Sequence, residues 1–581
     1  MNEIKKSQCW KSLPFLAGAI CIMPLLSANG WTEEKKPKLV LQITVDQLRG
    51  DLPGRYLDRM GEGGFRYLLE EGVVFANAHH THANTETIVG HATLATGAIP
   101  AVHGMVGNAW FDRGSGEMTY NIEDERYGLL TRGADVDKGS EIDPTQKVAR
   151  SEGRSPAAIL SSTFSDELAI STGGNAKVFG VSIKDRGAVS MAGHAGKAFW
   201  FSKAAQEWVS SKFYYGEYPE WVKTLNQSRP AGRFGGTAWE LLHDPSTYLF
   251  GDRDDQEWEV SIPPFGRVFP HSYGPADGQG FSTFLTLSPA GDELTLDFAR
   301  ALIENEAIGA DEVTDYLSVS FSSNDYVGHI FGPSSLESED NLIRLDRTLA
   351  SLIKYVDEKV GLDSTLIVFS ADHGGPEAPP DMQRYGLDSQ YVDPDSWEKE
   401  AGIAALKKRF DIGERLVRGY FHPYLYLNRE LIANKGLSLG EVEEAVAAEL
   451  AKFDGVALAV SSTAMATGKL PDTPLLRAVL NNYNPRRSGE IYVVFQPNWF
   501  INDFDGLAVA VTHGSPWRYD SFVPVIFAGA GLEPRKVYRE VHTVDVAPTL
   551  SAAVGAKPPS GSRGQVLVEV LEGSRAAADH Q

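Results

Sequence analysis

Cysteine is almost absent from this chain of 581 residues: only Cys9 and Cys21 occur, and both lie within the first 30 residues. The chain beyond residue 30 therefore offers no disulfide, no thiolate nucleophile and no cysteine-ligated zinc. A chain of this length can do without disulfides, because it can bury a large core. Any metal site must use His, Asp or Glu side chains or hydroxyl oxygens.

Positive charge is also scarce. The chain has 54 Lys and Arg residues against 77 Asp and Glu residues, a net charge of −23. This charge disfavours nucleic acid as a partner, so a local cluster of positive charge must hold any anionic substrate. The hydrophobic share of 42% and the charged share of 23% are typical of a soluble globular protein, and they exclude a disordered, collagenous or polytopic membrane protein.

Long hydrophobic runs are missing after the N terminus. There, basic residues precede an apolar run over 13–26, and small residues follow at 28–30. This order predicts a secretory signal peptide over 1–30 and a periplasmic or secreted protein. The run is too short for a membrane anchor, and Ile20 fits poorly in front of a lipidated Cys21. We therefore expect no stable membrane partner.

Apolar runs that alternate with helical patterns predict an α/β fold, an open and mostly parallel sheet flanked by helices. The predicted strands are 38–45, 178–183, 316–321, 364–369 and 522–527. The predicted helices include 336–360 and 544–554. In such sheets ligands bind at the carboxyl ends of the strands. Two regions with other patterns, 190–300 and 378–505, are predicted as inserted cap regions that wall the site of one catalytic domain over 31–581.

Acidic residues and histidines stand where several predicted strands end. They are Asp46, Asp325, His329, Asp372, His373 and His513. Taken singly, each has a structural explanation, because an Asp after a strand commonly closes a turn and the chain has 14 His residues. Taken together, they offer the nitrogen and oxygen ligands of two metal sites, a set that suits Zn²⁺ without sulfur. Two metal ions ~4 Å apart are the usual apparatus for in-line displacement at phosphorus.

The motifs around these residues carry a resemblance to a known family. They are VDQLRG around Asp46, NTETIVGHAT around Thr87, Asp325-x3-His329, ADHGG around Asp372 and THGSP around His513. In order and separation they resemble the type I phosphodiesterase/nucleotide pyrophosphatase branch of the alkaline phosphatase superfamily. The match runs from Asp46 to His513 and on to the VDVAPTL segment at 544–550. It implies an alkaline-phosphatase-like fold.

Two further features resemble the zinc-dependent, broad-specificity bacterial alkaline phosphatases that use a threonine nucleophile. These are Asn108, which lies 21 residues after Thr87, and the Lys184-x-Arg186 pair after a predicted strand. The resemblance implies two zinc ions per chain. One would be held by Asp325, His329 and His513, and the other by Asp46, Asp372, His373 and the Thr87 oxygen. It also implies that Thr87 forms a phosphothreonine from small phosphate monoesters, whose phosphoryl oxygens Asn108, Lys184 and Arg186 bind.

These roles agree with the chemistry of the residues. Thr87 begins a predicted helix that a glycine cap ends, and a helix N terminus attracts phosphate. By default such a threonine is only an N-cap, but a nearby cation would lower the pKa of its hydroxyl and activate it. Period-two spacing puts Lys184 and Arg186 on one face, although both could form a solvated edge. Asn108 could equally be a turn residue.

Two other motifs receive a structural interpretation. The cluster of His79, His80 and His82 has no match in the family pattern, so we expect it to be structural. The Asp252-x-Asp254-Asp255 segment resembles half of a calcium loop but lacks the glycine and the terminal Glu, so we expect a solvated acidic turn.

Three alternatives compete with a phosphomonoesterase. A phosphodiesterase or nucleotide pyrophosphatase on the same metal core is disfavoured by Lys184 and Arg186, because a diester has one fewer free oxygen. A sulfatase is disfavoured because its common nucleophile derives from cysteine. A non-catalytic periplasmic metal-binding protein would gain nothing from Thr87 beside the ligands.

Overall fold

The computed structural model describes residues 36–412 and 415–572. The predicted signal peptide over 1–30 lies outside these residues. Among the residues described, no helix combines the length and the apolar character needed to cross a bilayer.

A nine-stranded sheet lies at the centre of the described chain. Its strands, numbered along the chain, are β1 (Leu39–Val45), β2 (Val73–Phe75), β3 (Val178–Ser182), β4 (Lys197–Ser202), β5 (Glu207–Val209), β6 (Asp315–Phe321), β7 (Thr365–Ser370), β8 (Val525–Gly529) and β9 (Arg535–Val537). Their order across the sheet is β9-β2-β8-β7-β1-β6-β3-β4-β5. The five neighbours from β7 to β4 run parallel, while β8 and β5 pair antiparallel with β7 and β4. The predicted α/β class with a mostly parallel sheet is confirmed.

The central strand β1 explains the continuous apolar run in the sequence. Leu39 pairs with Asp315 of β6 on one side and with Thr365 of β7 on the other. All seven residues of β1 are buried, and its alternate side chains enter different apolar clusters: Leu41 belongs to one and Val40 to another. Because both faces of such a strand are buried, its sequence does not alternate between buried apolar and exposed polar residues.

The strand near the C terminus differs from the prediction at its start. It was expected over 522–527, but β8 begins at Val525 because Pro524 has no N–H to donate to a ladder.

Helices cover both faces of the sheet and connect the strands. Those of seven or more residues are Phe65–Glu71, Thr87–Thr96, Phe164–Ser171, Asp185–Ala192, Glu220–Gln227, Pro289–Asn305, Ser323–Phe331, Leu336–Lys359, Ala401–Arg409, Leu439–Leu450, Pro474–Asn482 and Val546–Val554. Shorter helices include Leu52–Arg55, Pro100–His103, Pro144–Lys147, Phe281–Thr286, Pro379–Arg384, Arg429–Asn434, Ser462–Thr467 and Arg518–Ser521. The Thr87–Thr96 helix ends at Gly97, whose φ of 61° is the left-handed cap that favours glycine.

The two expected insertions contain different kinds of structure. Within 378–505, four antiparallel strands form a second sheet with its own apolar cluster. These strands are Val417–Phe421, Tyr424–Leu427, Val456–Ser461 and Ile491–Phe495. Within 190–300, β4 and β5 belong to the central sheet, and the helix Pro289–Asn305 packs beside β6. The boundaries of the insertions therefore stay a prediction.

Candidate active site

The candidate metal ligands lie at the carboxyl edge of the parallel strands. Asp46 directly follows β1, and Asp372 and His373 follow β7. The sequence suggested that Asp325 and His329 lie at the end of a strand. In the structure both lie on the Ser323–Phe331 helix that follows β6. Their separation of four residues puts both side chains on one face of this helix. The sheet therefore brings the three segments to one edge.

The first group of ligands consists of Asp325, His329 and His513. Asp325 Oδ1 lies 3.2 Å from His329 Nε2 and 3.4 Å from His513 Nε2. One ligand atom from each residue fits within 4.8 Å of the others, a spacing that can hold a metal ion. Asp325 and His329 are buried, and His513 is nearly so.

The second group shares Asp325 with the first. Asp46, Asp325 and His373 also offer ligand atoms within 4.8 Å of one another. His373 Nε2 lies 3.4 Å from Asp46 Oδ1 and 3.6 Å from Asp372 Oδ2, so Asp372 adjoins this group. The rings of His373 and His513 stack with their centroids 3.6 Å apart. The two groups are therefore adjacent.

Each of the three histidines is oriented by a backbone carbonyl. The Nδ1 atom of His329 lies 2.7 Å from the Val511 oxygen, and that of His513 lies 2.8 Å from the Thr85 oxygen. The Nδ1 atom of His373 contacts the oxygen of Gly374 at 2.9 Å. A proton on Nδ1 satisfies each carbonyl and leaves Nε2 as a free electron-pair donor, the arrangement of metal-binding histidines.

Several of these ligand atoms are buried without a hydrogen-bond partner. Among the described residues, these include Asp46 Oδ1, Asp325 Oδ1, Asp372 Oδ2 and His373 Nε2. Buried polar atoms are rarely left unpaired, because each costs free energy when it is removed from water. Nitrogen and carboxylate donors without sulfur suit Zn²⁺. The residues present therefore fit a pair of zinc ions.

The electrostatics of the two groups agree with a cation site. Burial and the neighbouring His373 lower the pKa of His513 to about 3, which keeps His513 in the neutral form that binds metals. Burial also acts to lower the pKa of His373, but the charges of Asp372 and Asp46 raise it to about 9. The carboxylates that attract this proton would attract a metal cation in its place.

Lys184 is the one buried ammonium at these carboxylates among the described residues. Its Nζ lies 2.7 Å from Asp46 Oδ2 and also contacts Asp325 Oδ2. Burial acts to lower the pKa of Lys184, but the charges of Asp325 and Asp46 raise it above its ordinary value. Lys184 therefore carries a fixed positive charge between the two groups.

Thr87 is the first residue of its helix, and it is buried beside Arg186. Arg186 Nη2 lies 3.2 Å from Thr87 Oγ1, while Nη1 donates to Asp143 Oδ2 at 2.8 Å. The Oδ1 atom of Asn108 accepts from the Ile88 N–H at 3.1 Å, which ties Asn108 to the first turn of the same helix. The predicted nucleophile and two predicted phosphate-binding residues therefore meet at one helix N terminus.

The backbone that carries Lys184 and Arg186 to the site has a different conformation from the one expected. Period-two spacing assumed an extended chain, but a helix begins at Asp185 and Lys184 is its N-cap. Arg186 therefore projects from the first turn of a helix, whose N terminus also faces the region of the candidate ligands. The two side chains converge because the chain turns between them.

A cavity of about 510 Å³ opens from this site. Its floor includes Arg186, Asn108, Asp325, His329 and His513. Its walls come largely from the second expected insertion, with the aromatic side chains of Tyr420, Phe421, Phe500 and Phe504. Phe504 packs on the His329 ring, with the centroids 4.8 Å apart. The cavity thus gives a small molecule access to Arg186 and to the candidate ligands Asp325, His329 and His513.

Sequence reasoning missed three residues that contact this site. Asp143 pairs with Arg186, and Glu86 Oε2 accepts from the Asn108 N–H at 2.5 Å. Burial raises the pKa of Glu86 to about 7. His91, one helical turn after Thr87, contacts Asp372. His91 and Glu86 lie within the NTETIVGHAT motif, but nothing in that motif indicates their partners.

Among the described residues, the two other motifs contribute nothing to the candidate ligand groups. His80 Nδ1 lies 2.8 Å from Thr543 Oγ1, and its Nε2 lies 3.3 Å from the Ala371 oxygen. His82 packs on the His80 ring. Asp252 and Asp255 are exposed, and neither belongs to a group of ligands that could hold a metal ion within the described chain.

Comparison with known proteins identifies the family. The type I phosphodiesterase / nucleotide pyrophosphatase family matches residues 40–516. A Myroides odoratus protein named calcium-transporting ATPase is 34% identical over 542 residues, 93% of this chain and 95% of that protein. Alkaline phosphatase PafA of Elizabethkingia meningoseptica is 32% identical over 561 residues, 96% of this chain and 98% of PafA.

Solved structures also show the similarity to alkaline phosphatase PafA. The crystal structure of wild-type PafA superposes with a TM-score of 0.83 at 32% identity, covering 92% of this chain and 99% of that one. A PafA variant with a threonine, an asparagine, a lysine and an arginine substituted gives a TM-score of 0.82 at 31% identity, with the same coverage. The chain belongs to the type I phosphodiesterase/nucleotide pyrophosphatase family and, within it, to the PafA-like alkaline phosphatases.

Proposed function

We propose that this alkaline phosphatase hydrolyses phosphate monoesters through a phosphothreonine formed on Thr87. The observation that carries the proposal is the position of Thr87 Oγ1, which lies at a helix N terminus, 3.2 Å from Arg186 Nη2. A hydroxyl in that place faces a cation that can bind phosphate, and His91 of the same helix contacts the candidate metal ligand Asp372.

The cofactor in this proposal is a pair of zinc ions. Asp325, His329 and His513 would hold one of them, and Asp46, Asp372, His373 and the Thr87 oxygen would hold the other. When bound, zinc would act as a Lewis acid that lowers the pKa of the Thr87 hydroxyl and stabilises charge on the phosphate oxygens. The unpaired buried ligand atoms described above support this assignment.

The side chains of the chain itself account for the rest of the reaction. Thr87 Oγ1 attacks phosphorus in line, forming a bond to phosphorus as the bond to the leaving oxygen breaks. Water then attacks the phosphothreonine, which releases inorganic phosphate and restores the hydroxyl. The amides at the helix N terminus, Lys184, Arg186 and Asn108 stabilise the charge on the phosphoryl oxygens during both steps.

The substituted residues of the PafA variant support the same assignment. Its threonine and asparagine are separated as Thr87 and Asn108 are, and its lysine and arginine as Lys184 and Arg186 are. The substitution of these four residue types together in PafA agrees with a shared role at one site.

Monoesters are the proposed substrates because of the positive charge at the site. A monoester dianion has three non-bridging oxygens, and a diester has two. Arg186 can offer a two-pronged contact and Lys184 a compact charge, so both favour the more highly charged substrate and its transition state. Diester hydrolysis on the same ligand set is the second candidate, because the family name includes phosphodiesterases.

The proposal includes export. The order of charge and apolar residues over 1–30 predicts a signal peptide, so we place the enzyme in the periplasm or the medium.

Rapid denaturation during turnover tests the proposed function. Enzyme quenched in acid with a phosphate monoester and digested should yield a peptide phosphorylated on Thr87, detected by mass spectrometry. The Thr87→Ala protein is the matched control and should yield none. A phosphopeptide at another residue, or full activity of Thr87→Ala, would exclude Thr87 as the nucleophile.

A further inference from the structure

The helix that begins at Thr87 carries two residues with no role so far, Gly90 and His91. Both are fully buried, and both face the segment that supplies Asp372. They are one helical turn from Thr87, so they lie on the side of the helix that supports the nucleophile.

His91 connects the nucleophile helix to a candidate metal ligand. Its Nδ1 lies 2.9 Å from the Thr87 carbonyl oxygen and 3.1 Å from Asp372 Oδ2. Its Nε2 lies 3.0 Å from the Ser320 hydroxyl at the end of β6. Both neighbours of Nδ1 are acceptors, so Nδ1 carries the ring proton and Nε2 accepts from Ser320.

The other carboxylate oxygen of Asp372 is already occupied. Asp372 Oδ1 accepts the N–H of Gln47 at 3.2 Å and that of His373 at 3.0 Å. Only Oδ2 is left to bind a metal, and Oδ2 is the atom that His91 contacts. The Nδ1 proton of His91 is donated to the Thr87 carbonyl, so the imidazole lies against Oδ2 at 3.1 Å and limits which way this oxygen can face.

Gly90 explains how the helix can approach so closely. A Cβ atom at position 90 would lie 1.8 Å from the carbonyl oxygen of Asp372 and 2.7 Å from its Cα. Real Cβ atoms do not come so near to backbone, so any other residue would push the helix away from Asp372. Glycine is required here by the contact between the two backbones.

We infer that Gly90 and His91 are positioning residues that hold Thr87 and the metal ligand Asp372 in a fixed relation. The inference rests on the proposed function, since it assumes a zinc ion at the Asp46, Asp372 and His373 group. Partners of this kind orient ligands, and their loss costs 10–100-fold in metal affinity as an order of magnitude.

Zinc affinity of the metal-free protein provides the test, because it does not depend on turnover. The purified protein is stripped with a chelator, and the two binding steps are measured by competition with a chromogenic chelator. His91→Phe should weaken one step by about 10–100-fold and leave the other unchanged. His103→Phe is the matched control, because His103 is also buried and contacts the same helix at Thr93. It should lower stability without changing either step.

A second pair of variants keeps the test decisive if His91→Phe does not fold. His91→Asn places an amide N–H where Nδ1 was, whereas His91→Gln reaches the Nε2 position. The asparagine variant should keep most of the affinity at the weakened step, and the glutamine variant should not. Equal zinc affinities in wild type, His91→Asn and His91→Gln would overturn the inference. Wild-type protein that binds fewer than two zinc ions would instead overturn the proposed function.

Discussion

Replacement of Arg186 by alanine tests the phosphate site most directly. Arg186 is 2% exposed, and its two terminal nitrogens are divided between Thr87 Oγ1 and Asp143. A buried donor held in place by an ion pair needs no reorganisation as charge develops on the phosphoryl oxygens. Loss of one such donor should lower kcat/KM for a monoester by about 10²–10³, or ~2.7–4 kcal/mol of transition-state stabilisation.

The loss for a diester should be smaller, and its size follows from charge. A diester monoanion has half the charge of a monoester dianion, so its Coulomb interaction with the guanidinium is about half as strong. Half of the monoester loss is ~1.4–2 kcal/mol, or about 10–30-fold in rate. The monoester-to-diester ratio of kcat/KM should therefore fall by about 10–30-fold in Arg186→Ala. Parallel assays of an aryl phosphate and its methyl diester measure this ratio.

Arg154→Ala is the matched control for this experiment. Arg154 is also 2% exposed and pairs at 2.8 Å with Asp185, which lies on the same helix as Arg186, but Arg154 does not line the cavity that Arg186 lines. Its removal should lower the melting temperature and leave the ratio unchanged. Equal losses of both activities in Arg186→Ala, or a changed ratio in Arg154→Ala, would refute the reasoning.

Three other outcomes are expected. Thr87→Ala should lose nearly all turnover in steady-state assays, whereas Thr87→Ser should keep much of it because the hydroxyl remains; an active alanine variant would point to direct attack by water. A chelator should abolish activity and Zn²⁺ should restore it, with two zinc ions per active chain by elemental analysis, and His513→Ala should lose one of them; active enzyme with one metal or none would exclude the two-metal site. Burial raises the pKa of Glu259 to about 8 from an ordinary value of 4.5, so the folded state binds this proton more tightly and loses stability as pH rises through that range. Glu259→Gln should therefore raise the melting temperature above about pH 8 and change it less below about pH 4.5; the same gain at both would show that the charge is not responsible.

The sequence indicated the edge of the sheet at which the site forms, because apolar strands that end in acidic residues are a local pattern. Asp46 directly follows β1 and Asp372 lies two residues after β7, and these strands are neighbours. The Thr87–Thr96 helix could also be predicted, because its start and its glycine cap are both local signals in the sequence. That these residues bind zinc stays a prediction.

The secondary-structure elements that bring other residues to the site could not be predicted from the sequence. Asp325 and His329 were expected at a strand end but lie on a helix, and a separation of four residues gave no sign of the difference. Lys184 and Arg186 were placed on one face by assuming an extended chain, whereas a helix begins between them. In both cases a short spacing is compatible with two backbone conformations, and only the packing of the following helix against the sheet decides between them.

Positioning residues are harder still to predict, because their partners are distant in sequence. His91 and Asp372 are separated by about half of the chain, and neither motif indicates a contact with the other. By helix propensity alone, Gly90 weakens its helix, since glycine in a helix interior costs ~1 kcal/mol relative to alanine. The structure shows why glycine is nevertheless needed: an alanine there would place its Cβ 1.8 Å from the carbonyl oxygen of Asp372. The residue that weakens the isolated helix is therefore the one that lets the helix pack against the backbone of Asp372.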